Sequence, residues 1–177
     1  MKGRRLTTVV LVAGLALIWL WERYEERAAL GSLEPHEALC IHVIDGDTID
    51  VRSAEGEVRV RLLGMDCPET HNFEKQGRQA RSLGVDQGVM GRIGREATAF
   101  TRRSLEREKV TLVYQGDEMP LDDYDRALCY VEVGGLDHGE ELLAEGLATP
   151  RREPHPRKRT YERVNAEAKK RGVGLYR

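Results

Sequence analysis

Three short stretches gather carboxylates and arginines at turns of the chain, and together they could handle a phosphodiester. They are Asp45-Gly46-Asp47-Thr48, Arg61 to Thr70 (RLLGMDCPET) and Asp122 to Arg126 (DDYDR). Asp47 and Asp66, each expected at a strand end with a backbone carbonyl beside Asp66, make a hard oxygen site suited to a divalent ion such as calcium. Histidine and thiolate ligands are not required. Glu69, three residues after Asp66 and stiffened by Pro68, can orient or deprotonate a water beside that ion, while Arg61 and Arg126 can grip a phosphodiester from two sides. A nucleophile, a cation against the oxygens and positive charge for the transition state are the parts an in-line phosphoryl displacement needs. Taken singly each stretch is weak, because a DGDT turn is usually a turn and Pro-Glu-Thr is often a cap. Their joint order carries the signal.

The elements that must position these residues start at Ala38. Ala38 to Ile44 (ALCIHVI) and Thr48 to Arg52 (TIDVR) flank Asp45-Gly46, a strong hairpin signal between apolar, β-branched runs. Glu57 to Met65 (EVRVRLLGM) is a third strand, with Val58, Val60 and Leu62 on one face and Arg59 and Arg61 on the other. The glycine-rich stretch His71 to Gly94 is expected as a long loop with at most one helical turn, too long to be idle packing. A helix over Arg95 to Glu108, strands at Lys109 to Gln115 and Ala127 to Val133, a short helix at Glu140 to Glu145 and a basic helix at Tyr161 to Lys170 follow. Five short strands with about three helices predict an α+β fold built on a small closed barrel, compatible with an OB-type architecture.

At 177 residues the chain has room for one domain with a real core. The formal net charge of −2 does not mark a polyanion binder. Locally, Arg151 to Arg171 carries nine basic against three acidic side chains, enough to attract phosphate; the competing reading is a solvated helix face with i,i+4 pairs. Cys40, Cys67 and Cys129 are an odd set at wide spacing, which suits small buried side chains better than a disulfide framework or a zinc site.

The first residues stand apart. Leu6 to Trp21 is an uncharged run of sixteen residues after Lys2, Arg4 and Arg5, and it ends in Trp19-Leu20-Trp21 with no small-residue cleavage site. A buried core helix is the alternative, since about twenty residues span a bilayer comfortably. The expected division is a signal or signal-anchor helix at 1–24, a linker at 25–37 and the catalytic domain at 38–177. That arrangement leaves the domain outside the cytoplasm, either membrane-anchored or secreted.

Five blocks in order, VIDGDTI (Val43 to Ile49), RLLGMDCPET, DDYDRALCY (Asp122 to Tyr130), EELLAEGLA (Glu140 to Ala148) and AEAKK (Ala166 to Lys170), resemble the staphylococcal nuclease family from Ala38 to Tyr176. The resemblance implies a five-stranded OB barrel with three helices and calcium-dependent hydrolysis of DNA and RNA to 3′-phosphate and 5′-hydroxyl ends. It further implies that Asp47, Asp66 and the main-chain carbonyl of Cys67 hold calcium, and that Arg61, Glu69 and Arg126 are catalytic. Departures from the family pattern are Cys67 for a threonine, Asp123 for a lysine, Asp125 for a glycine, and no paired tyrosines in Ala148 to Pro156. The alternative is a membrane-tethered, non-catalytic OB module that only binds nucleic acid; nothing points to a protein partner.

Overall fold

The computed structural model describes residues 35–116 and 118–177. The expected leader at 1–24 and residues 25–34 of the expected linker lie outside the described residues. No helix among the described residues is long and apolar enough to cross a membrane.

The Asp-Gly pair turns the chain as its type dictates. β1 (His36–Val43) runs antiparallel to β2 (Thr48–Ser53), with Val43 opposite Ile49, and Thr48 O accepts the amides of Ile44 and Asp45 across the turn. β1 starts two residues earlier than expected, because His36 and Glu37 pair with Leu112 and Thr111. β3 (Gly56–Leu62) pairs with β2, and Gly64, in the left-handed region at φ 83°, turns the chain into the two-residue β4 (Met65–Asp66).

β5 (Lys109–Val113) lies against β1, and β6 (Ala127–Val133) pairs antiparallel with β5 and parallel with β3. The β3–β6 contact closes the sheet, giving the expected five-stranded barrel with no free edge among its long strands. Its interior repeats every second residue: Ile49 and Val51, Val60 and Leu62, Val110 and Leu112, Cys129 and Val131 are all buried. Each such side chain contributes roughly 1.5–3 kcal/mol through removal from water. β7 (Leu136–Asp137) extends β6, and β8 (Thr149–Pro150) pairs with β4.

The stretch 71–94 is not a loop. It holds α1 (Phe73–Leu83) and the start of α2 (Gln87–Leu105). The Asn72 side chain accepts from Lys75 N to start α1, Gly84 closes it at φ 68°, and the Asp86 side chain accepts from Gly88 N and Val89 N to start α2. Glycine 94 permits contact rather than a bend: a Cβ there would stand 2.6 Å from the carbonyl oxygen of Pro68. With α3 (His138–Ala144) and α4 (Lys158–Arg171) the described residues form four helices, one more than expected. α2 buries Met90, Ile93, Ala97, Thr101 and Leu105 at helical spacing. The three cysteines are buried and unpaired, as expected.

Candidate active site

Asp47 and Arg61 face each other because Thr48 and Arg61 are partners in the β2–β3 register. Arg61 Nη1 pairs with Asp47 Oδ1, and Nη2 donates to Asp66 Oδ1. Asp47 is 2% and Arg61 7% exposed, so both charges are out of water and depend on each other. The other oxygen of Asp47 accepts from the Cys67 amide at 2.6 Å. Both carboxylates thus converge on one guanidinium, and the carbonyl of Cys67 follows Asp66 directly.

Among the described residues no three His, Cys, Asp or Glu side chains stand close enough to hold a metal by themselves. The oxygens gathered here are two carboxylates on one guanidinium and, beside Asp66, the main-chain carbonyl of Cys67, all hard donors. That set fits a cation of the calcium class completing its shell with water, and does not fit zinc. Asp45, not assigned from the sequence, belongs to the same group. Its Oδ1 accepts from Asp47 N at 3.0 Å, and burial raises its carboxyl against the opposing pull of Arg61.

Glu69 is held tightly. Oε1 accepts from the amides of Thr70, His71 and Asn72 at 3.0, 2.9 and 3.4 Å, and Oε2 faces Lys75 Nζ at 3.0 Å. Burial pushes its carboxyl up, but the His71 amide, Lys75 and the Asn72 amide outweigh it and hold the group at about 2. Gln79 reaches the same place from α1: its Nε2 donates to Asp66 Oδ2 at 2.8 Å and to Cys67 O at 3.2 Å. No sequence pattern marks Gln79, since α1 brings it here from a stretch whose glycines predict a loop.

Arg126 stands one residue before β6. Leu128 is the partner of Arg61 in the parallel register, so Arg126, two residues earlier, falls on the same face one step along. It donates from Nε and Nη2 to Asp122 Oδ2 at 2.8 and 2.6 Å and lies 5.4 Å from the ring centre of Tyr124, which is 80% exposed. Asp125, where the family pattern has glycine, adopts φ 58°. Aspartate tolerates that left-handed backbone better than most residues, so the turn survives the exchange.

Behind the Asp45–Asp47 turn runs a buried polar chain that the sequence reading missed. Thr101 Oγ1 donates to Gly46 O at 2.8 Å, and His138 Nε2 lies 3.0 Å from the same hydroxyl. The threonine proton is committed to the carbonyl, so Nε2 carries the imidazole proton. Burial lowers the His138 imidazole to about 4, which leaves it neutral.

Four of the nine basic side chains of the C-terminal stretch are paired with carboxylates. Arg157 is tied to Glu132 and Asp137 and lies over Tyr130; Arg151 meets Glu153, Lys158 meets Glu162, and Arg163 meets Glu167. This favours the solvated-face reading for those four side chains.

Residues 59–177 match the family described as staphylococcal nuclease homologue. The chain belongs to the staphylococcal nuclease family. The family match contains Arg61, Asp66, Cys67, Glu69 and Arg126 and begins after Asp47. Relatives extend further: a thermonuclease of Staphylococcus intermedius is 29% identical over 98% of both chains, and one of Staphylococcus hyicus is 31% identical over 82% of this chain and 80% of its own. An endonuclease of Saprolegnia parasitica is 28% identical over 77% of this chain and 67% of its own. The barrel with its inserted α2 is consistent with the OB-like family fold.

Proposed function

We propose that this protein is a calcium-dependent endonuclease that hydrolyses DNA, RNA or both to 3′-phosphate and 5′-hydroxyl ends. The observation that carries the reading is the convergence of Asp47 and Asp66 on the buried Arg61, with Glu69 following on the same segment. Family membership and the thermonuclease names of the relatives support it.

Asp47, Asp66 and the Cys67 carbonyl would hold the ion. Calcium, when bound, neutralises phosphate charge and polarises the phosphorus–oxygen bonds. Arg61 uses two of its five N–H donors on Asp47 and Asp66, which leaves others for a phosphate oxygen. Glu69 acts on the attacking water; a carboxyl held near 2 is ionised at neutral pH and suited to orienting that water by accepting a hydrogen bond. Arg126 stabilises charge as the P–O5′ bond breaks; the attacking water gives up a proton to solvent, and the departing oxygen takes one from solvent and leaves as a hydroxyl. The new oxygen stays on phosphorus as part of the 3′-phosphate.

The leader reading completes the proposal: Leu6 to Trp21 directs the domain to the outside of the cytoplasm, as a membrane anchor or as a cleaved signal. The full chain, assayed on supercoiled plasmid with calcium and with chelator, tests the activity. Calcium-dependent nicking and linearisation is the expected result. Plasmid retarded but uncut at every calcium concentration would establish the non-catalytic binding module instead.

A further inference from the structure

α1 holds the 66–69 segment with three side chains from one helical face. Lys75 meets Glu69 Oε2 at 3.0 Å, Gln76 Nε2 donates to Glu69 O at 2.8 Å, and Gln79 takes the Glu69 amide on Oε1 at 2.8 Å. The last contact fixes which way the Gln79 amide points, because a backbone N–H needs an acceptor. The NH2 group is thereby aimed at Asp66 Oδ2 and Cys67 O, two of the three oxygens assigned to calcium. A cavity of about 110 Å³, several times the volume of a water, is lined by Asp66, Gln79, Pro68 and Thr149 at this point.

We propose that Gln79 is a positioning residue for the cation ligands, and that α1 serves to deliver it. The proposal rests on the calcium reading above. A carboxylate oxygen and a carbonyl oxygen each keep a lone pair after accepting one hydrogen bond, so the Gln79 amide holds Asp66 and the Cys67 carbonyl in place without displacing an ion. Arg61 fixes Asp66 from one side and Gln79 from the other. The same amide ties the Glu69 backbone to that ligand pair, so the water-orienting residue and the ion share one support. Outer partners of this kind typically contribute 10–100-fold in metal affinity.

The test measures calcium binding to the full chain by titration calorimetry for wild type, Gln79→Met and Gln79→Ala. Methionine keeps the unbranched stem and alanine keeps the helix, so either variant preserves α1. Melting temperature without calcium and retention of a single-stranded oligonucleotide without calcium are measured alongside. The proposal expects both variants to bind calcium 10–100-fold more weakly, with oligonucleotide retention unchanged and the melting temperature lowered only by the cost of leaving the Glu69 amide unpaired. Unaltered or tighter calcium binding overturns it, the latter by making the amide a competitor of the ion. Loss of affinity accompanied by loss of helical circular dichroism at the assay temperature in both variants also overturns it, as damage to α1. A wild type that binds no calcium overturns the cation reading itself, a failure distinct from the others.

Discussion

The backbone amide of Cys67 donates to Oδ2 of Asp47 at 2.6 Å, joining positions 20 residues apart. Through this bond the β1–β2 turn and the end of β4 cannot move independently, and both carry oxygens proposed to hold calcium. The side chain at position 67 takes no part, which explains how cysteine can stand where the family pattern has threonine. Burial pushes the thiol up and leaves it protonated, a small apolar filler.

Replacing Asp47 or Asp66 by alanine is expected to remove calcium-dependent cleavage, lowering turnover by about 10²-fold or more. Plasmid cleavage across a calcium titration measures it. An Asp47→Ala protein fully active at low calcium would exclude Asp47 as a ligand.

Glu69→Gln should lower turnover strongly and change substrate affinity little if the group acts on the attacking water as proposed. Arg61→Lys and Arg126→Lys should each cost about 10²-fold, since an ammonium cannot reproduce a forked donor. Turnover on single-stranded DNA, with folding checked by circular dichroism, decides the matter. Near-wild-type rates for Arg126→Lys or Glu69→Gln would sink the mechanism.

His138 predicts a pH dependence of stability. Its imidazole sits at about 4 when folded against an ordinary 6.5, so the unfolded chain binds the proton more readily. The resulting stability is fully present above pH 6.5 and is lost as pH falls through 4, amounting to roughly 3 kcal/mol. His138→Gln keeps an N–H donor for Thr101 without titrating, and its urea-unfolding free energy should fall by that much less across the window. Identical pH slopes in the two proteins would contradict the neutral, buried histidine.

Gly46 tests the packing behind the turn. A Cβ there would stand 2.8 Å from both Ala97 Cβ and Cys67 Sγ. Gly46→Ala should therefore destabilise the fold by about 1–3 kcal/mol and also weaken calcium binding, because Asp47 and Cys67 are the parts displaced. An unchanged urea midpoint would show that the contact relaxes freely.

For the leader, the expected outcome is that the chain sediments with membranes and that added protease reaches the domain from outside the cell. Recovery of a soluble form beginning after Ala29 would replace the anchor with a cleaved signal.

The parts legible in the sequence were those whose meaning is local. Asp45-Gly46 announces a turn by its backbone preferences, β2 and β3 announce themselves by alternation, and β6 by a short apolar run. The α1–α2 pair was hidden because Gly84, Gly88, Gly91 and Gly94 read as loop punctuation, whereas Gly84 is a helix cap and Gly94 makes room for Pro68. Gln79 and the Thr101–His138 pair stayed invisible for a different reason. Their partners lie in distant segments, as Thr101 Oγ1 does from Gly46 O, 55 residues away.

The parallel meeting of β3 with β6 has a consequence for biosynthesis. Arg61 and Arg126 come onto adjoining strands only when the barrel shuts, after α1, α2 and β5 have been laid down between them. Contacts of such long sequence separation form late, because the loop entropy must be overcome first. A chain still emerging from the ribosome, or one nicked anywhere between the two strands before folding, carries the acidic turn and one arginine but no second one beside it. Such a chain would pass through a cell full of nucleic acid with the proposed catalytic set still incomplete.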